Sequence, residues 1–141
     1  MTTSKAIDRL VNILTSVNSG DLALLKFHTE ESDNGNGSLM RILPLIYEIK
    51  NKDINEQFDI VWKNSALTHR HIRAPMSCLI YLKFAEHLMN GLDKFAAYQE
   101  TRKEIKTFWI DMKFSSLEQV NFNRIIQNDI TSFDKDSILS G

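Results

Sequence analysis

The chain has 141 residues and 16.3 kDa, the size of one domain, and its 43% hydrophobic and 25% charged residues are those of a folded protein and not of a disordered tail. With 17 Lys and Arg against 18 Asp and Glu the net charge is −1, so no general positive field exists for nucleic-acid phosphates. A membrane span is excluded because no apolar run approaches the roughly 20 residues it needs.

Thr3 or Ser4 can cap a first helix, on which Ala6, Ile7, Leu10, Val11, Leu14 and Val17 share one face. Gly20 suits its C-terminal turn. Residues 22–27 form a short apolar piece whose type the pattern does not settle, and residues 27–38 are the least regular stretch, rich in Ser, Asp, Asn and Gly. A second helix is predicted from near Ser38, carrying Leu39, Ile42, Leu43, Ile46 and Ile49, with Pro44 tolerated early or as a kink. Asp53 and Glu56 form a capping box before a helix bearing Phe58, Val61, Trp62, Ser65 and Ala66. Pro75 suits the first turn of a long helix that buries Leu79, Ile80, Tyr81, Leu82, Phe84, Ala85 and Leu88 and closes at Gly91. A fifth helix is predicted from about Lys94 to Met112, with Phe95, Tyr98, Ile105, Phe108 and Trp109. Ser115 and Glu118 make another capping box before Val120, Ile125 and Ile126. No convincing period-2 strand exists, so the predicted class is all-α.

Cys78 is the single cysteine, which excludes an internal disulfide and a cysteine-based zinc site; on an apolar helix face it reads as an inert core thiol. Trp62 and Trp109 read as core aromatics, and His28 and His87 as surface or satisfied core histidines. The run from Glu100 to Lys106 reads as a solvated helix face. The N-terminus, Met-Thr-Thr-Ser-Lys, lacks the apolar core of a signal peptide, which points to the cytoplasm.

Two constellations carry candidate chemistry. In Ser32-Asp-Asn-Gly-Asn-Gly-Ser-Leu-Met-Arg41, two glycines among Asp, Asn and Ser let the backbone turn sharply and expose N–H groups. Ahead of a helix this is a place for a phosphate or a ribose hydroxyl, although Gly/Asn loops before helices are common and spacing alone favours a plain loop with a cap. In Ser65-Ala-Leu-Thr-His-Arg-His-Ile-Arg73, two His and two Arg crowd a helix junction. That suits an anion-binding corner, or a solvated turn with Arg70 and Arg73 on the surface. The His69 to His71 spacing is poor for a metal on a helix. No Ser–His–Asp order, P-loop or metalloprotease motif is present.

Taken in order, these segments resemble the ADP-ribosylglycohydrolase family. Asn34-Gly-Asn-Gly-Ser-Leu-Met-Arg-Ile-Leu-Pro-Leu45 is similar to its NGNGSxMRxxPL signature, and Ser65-Ala-Leu-Thr-His69 with Arg73 to its SxLTHxxxR segment. The start, from Thr2 to Leu10, and the end, from Asp136 to Gly141, resemble the helix before the signature and the approach to the next family helix; residues 94–133 match only as helical filler.

The resemblance implies an all-α helical bundle, a cleft holding two magnesium ions, and hydrolysis of the glycosidic bond joining ADP-ribose to a modified side chain or small molecule. It implies that Asp33, Asn34, Gly35, Asn36 and Gly37 line the ADP-ribose loop, that His69 approaches the pyrophosphate, and that Arg41 buttresses the loop. Leu39 is bulkier than the small residues that family members carry there.

The family's metal-ligand segments, a Thr-Asp-Asp type near the N-terminus and a Gly-Asp-Asp/x-Asp-Thr type near the C-terminus, do not occur here. The resemblance therefore predicts one partial domain over residues 1–141, the central part of the fold truncated at both ends. Such a chain is expected to bind no magnesium of its own, to have no catalytic residue, and to be inactive alone. Its expected partners are ADP-ribose or an ADP-ribosylated substrate, with self-association through exposed helix faces, and neither nucleic acid nor membrane. The alternatives are a non-catalytic nucleotide-binding protein and a helical interaction module.

Overall fold

A computed structural model describes residues 35–132, together with Asp8 and Val11, which are helical. The expected face of the first helix, the piece at residues 22–27, His28 and the residues after Ser132 lie otherwise outside the described residues. Those described form helices and turns without a strand, as the all-α class requires.

The predicted second helix is divided into three pieces. The first piece, labelled α1 (Gly37–Arg41), gives way to a 3₁₀ turn (Leu43–Leu45) and then α2 (Ile46–Ile49). Pro44 lies inside the 3₁₀ turn, where its missing N–H and fixed φ interrupt the α-helical ladder. Apolar spacing survives the break, so Ile42, Ile46 and Ile49 are all buried.

The carboxylate of Asp53 accepts from the N–H groups of Asn55 and Glu56 and opens α3 (Ile54–Ala66). Glu56 does not complete the predicted box; it pairs with Lys52 instead. Pro75 stands in the first turn of α4 (Arg73–Met89), and Gly91 ends the helix at φ +89. Tyr81 and Leu88, expected among its buried residues, are exposed instead, because they lie off the stripes that meet the two neighbouring helices. The cap of α5 (Lys94–Asp111) is Asp93, which the sequence reading did not single out.

Helix α4 is central, packed between α3 and α5. On one side Met76 and Leu79 join Phe58, Ile105, Phe108, Trp109, Phe114, Phe122 and Ile126. On the other Cys78 and Leu82 join Ile42, Ile46, Ile49 and Val61. Truncating Phe108 to Ala in such a packed cluster costs about 3–5 kcal/mol. Trp109, buried at 2% exposure, donates its indole N–H to the Met76 sulfur at 3.2 Å, so its one polar group is not left without a partner in the core. Lys83, 8% exposed, bridges Glu86 at 2.6 Å and Glu104 at 3.1 Å and ties α4 to α5, with His87 Nε2 3.4 Å from Glu104.

After α5 the chain departs from the predicted helix. A short α6 (Ser116–Gln119) leads into a 3₁₀ turn (Val120–Phe122), a π turn (Asn123–Gln127) and a further 3₁₀ turn (Ile130–Ser132). Ser115 makes no side-chain cap, and Glu118 reaches elsewhere. The turns are fixed from α5. Tyr98 donates to the Ile125 carbonyl at 2.8 Å and accepts from the Ile130 N–H at 2.9 Å. Arg102 donates to the carbonyls of Ile126 and Gln127 and to Asp129. The run from Glu100 to Lys106 is therefore not a uniformly solvated face. No helix among the described residues is long and apolar enough to cross a membrane.

Candidate functional site

The two constellations meet. His69 lies in the connection between α3 and α4, more than thirty residues from the glycine turn, yet its imidazole packs on that turn. A β-carbon on Gly35 would stand 2.7 Å from Nε2 of His69, and one on Gly37 would stand 2.7 Å from Cε1. Real side chains do not approach so closely, so both positions need glycine for space. Neither glycine has a positive φ, so the sequence argument from backbone freedom is replaced by one from close approach.

The ring is placed by its own segment. Ser65, fully buried at the end of α3, accepts from the His69 N–H at 2.8 Å through its carbonyl. Its hydroxyl donates to the His69 carbonyl at 3.0 Å. Thr68 Oγ1 lies 2.8 Å from His69 Nδ1. With Nδ1 engaged, Nε2 is the edge that meets the glycine turn. Ser65 and Thr68 are thus parts of the site that residue-type reasoning passed over, although both stand in the quoted SxLTH segment.

Below the turn, Ser38 is 1% exposed, and its hydroxyl lies 3.6 Å from the sulfur of Cys78 on α4. Burial pushes the Cys78 thiol above its ordinary value, which keeps it a neutral core group. Arg41 donates to the carbonyl of Asn64 at 3.1 Å, so it braces α1 against α3. The α1 helix has only five residues, too short for the helix-terminus field expected from a long helix beginning at Ser38.

A cavity of about 240 Å³ opens beside the turn, lined by Gly35, Asn36, Ser38, Arg73, Asn121 and neighbouring residues. Arg70 and Arg73 do not form a solvated turn. Arg70 is 2% exposed, and Arg73 donates to both carboxylate oxygens of Glu118 at 2.6 and 3.2 Å. His71 accepts from the Arg73 N–H at 3.4 Å, away from His69's role on the turn. Of the sequence-predicted loop, Gly35, Asn36 and Gly37 are brought together with His69, while Asp33 and Asn34 lie outside the described residues.

The family model for ADP-ribosylglycohydrolase matches residues 1–135. The chain belongs to the ADP-ribosylglycohydrolase family. No curated protein and no solved structure was found to match it. As a family member it carries glycohydrolase-type ancestry on a helical fold. A two-magnesium site of the kind the resemblance implies needs several converging oxygen ligands. Among the described residues no group of three or more His, Cys, Asp or Glu is placed to hold a metal, and Glu118, beside the cavity, is engaged by Arg73. The described residues do not fit that pair of ions.

Proposed function

We propose that this ADP-ribosylglycohydrolase-family chain binds the ADP-ribose portion of a ligand at the Gly35 to Ser38 turn, and does not by itself cleave the glycosidic bond. The contact of His69 with Gly35 and Gly37 carries the binding part of this reading. It joins the two motif segments into one surface beside a cavity. Backbone N–H groups of the turn, which His69 backs from behind, are suitable donors for a diphosphate. At 240 Å³ the cavity is smaller than the roughly 300–1,000 Å³ that encloses a whole drug-sized ligand, so it takes only part of an ADP-ribose.

The inactive part rests on chemistry. Hydrolysis of a glycosidic bond needs a group that activates water and one that assists the leaving group. Neither acidic segment of the family occurs in the 141 residues. Catalysis would need acidic groups supplied from elsewhere.

Charge-assisted hydrogen bonds contribute roughly 1.5–3 kcal/mol each, and fixing the ligand offsets part of that. The expected dissociation constant is nearer millimolar than micromolar, since about 4 kcal/mol corresponds to millimolar. An NMR titration with ADP-ribose tests the binding part. Shifts at Gly35, Asn36, Gly37 and His69, abolished in Gly37→Val, are expected. A spectrum unchanged at several millimolar ligand overturns it. Magnesium-dependent, chelator-sensitive release of ADP-ribose from a modified peptide, in proportion to protein added, overturns the inactive part.

A second reading, a helical interaction module, is favoured by an apolar groove of about 570 Å³ lined by Ile80, Tyr81, Phe84, Phe95, Tyr98 and other residues. Phe95 on its edge is 57% exposed. Under this reading sedimentation shows association that grows with concentration and is abolished by Phe95→Asp, with no response to ADP-ribose.

A further inference from the structure

The cavity has a wall that neither motif supplies. Helix α6 and the 3₁₀ turn after it belong to the stretch that carries no family signature, yet Asn121 and Phe122 line the same cavity as Gly35 and Asn36. Phe122 is 5% exposed and anchors the turn in the core with Trp109 and Phe114. Glu118, one helical turn before Phe122, accepts two hydrogen bonds from Arg73 in the first turn of α4. Both side chains are about four-fifths buried, at 21% and 19% exposure, so water screens this bidentate pair only in part. The pair fixes the distance between the α4 side of the cavity and the Asn121 side.

Asn121 itself is exposed, and its amide orientation is set locally. Nδ2 donates to the carbonyls of Leu117 at 3.5 Å and Glu118 at 3.3 Å. Among the described residues nothing donates to Oδ1. An amide oxygen accepts hydrogen bonds and offers none, so it repels phosphate oxygens, which are also acceptors, and suits a hydroxyl. The Glu118 carboxylate cancels the Arg73 charge on the same side. This wall is therefore built for the neutral, hydroxyl-bearing part of a ligand, while the glycine turn offers N–H donors.

We propose that Asn121 is a specificity residue that accepts a hydrogen bond from a ribose hydroxyl of the bound nucleotide, and that the Arg73–Glu118 pair is the positioning device that holds it there. The assignment rests on the ADP-ribose reading above and names the part of the ligand that the second wall recognises.

The test titrates the whole chain with ADP-ribose, ADP and 2′-deoxy-ADP, using amide shifts to obtain affinities. Asn121→Ala is expected to weaken ADP-ribose binding about five- to tenfold, the effect of one hydrogen bond, with an unchanged melting curve. If ADP weakens equally and 2′-deoxy-ADP does not, the hydroxyl is on the adenosine ribose. If ADP is unaffected, the hydroxyl is on the distal ribose. Glu118→Gln is expected to weaken binding similarly, and the exchanged pair Arg73→Glu with Glu118→Arg to restore it, which general destabilisation would not do. Wild-type binding that Asn121→Ala leaves unchanged overturns this inference and leaves the ADP-ribose reading standing. Absence of wild-type binding overturns both.

Discussion

Cε1 of His69 occupies the place where a β-carbon on Gly37 would need room, 2.7 Å from it. The ring cannot simply swing aside, because Thr68 holds Nδ1 and Ser65 holds the backbone on both sides. Steric room, and not a special dihedral angle, is what Gly37 supplies.

Gly37→Ala should therefore destabilise the fold by about 1–3 kcal/mol, the usual cost of forcing extra volume into a packed contact. In a His69→Ala background the same substitution should cost nearly nothing. A denaturation double-mutant cycle checks this, since residues in contact couple and distant ones add. Equal costs in the two backgrounds would show that the ring and the turn do not touch.

The Asp129 carboxyl is held down to about 2, first by the Thr131 hydroxyl, then by Gln99 and the Thr131 N–H, with a smaller contribution from Arg102. A carboxyl whose folded value is depressed stabilises the fold above its ordinary value, near 3.8, and loses that contribution as pH falls through about 2. The 3₁₀ turn at Ile130–Ser132 should accordingly keep its hydrogen bonds at pH 4 and lose them on further acidification. The Thr131 amide resonance, followed against pH, should titrate near 2. A midpoint near 4 would contradict the contact, and Asp129→Asn should abolish the step.

Cys78 is fully buried, and its thiol is raised above the ordinary value by that burial. Only the thiolate reacts with disulfide reagents. At pH 8 the native chain should thus react at least roughly tenfold more slowly with a chromogenic disulfide than the chain in denaturant. Comparable rates in both conditions would place the sulfur at the surface.

Apolar spacing determined the all-α class and the buried faces at Phe58, Val61, Leu79, Leu82, Ile105 and Phe108, and single residue types determined the Asp53 cap and the stop at Gly91, because these depend on residues within a turn or two of one another. The two motif segments were legible too, as strings of residue types. What the sequence did not determine was what those residues touch. Helix α1 stops after five residues because a proline ring and core packing outweigh a continuous 3.6-residue pattern. Glu118 forgoes its local cap for Arg73, and Arg102 leaves solvent for carbonyls more than twenty residues away, because a bidentate or multiply bonded partner outweighs a single local bond. The same long-range packing sets the imidazole of His69 against Gly35 and Gly37 and brings Asn121 to the same cavity. Such contacts join residues tens of positions apart, and only the folded helices, held by their two apolar clusters, bring them within hydrogen-bonding distance.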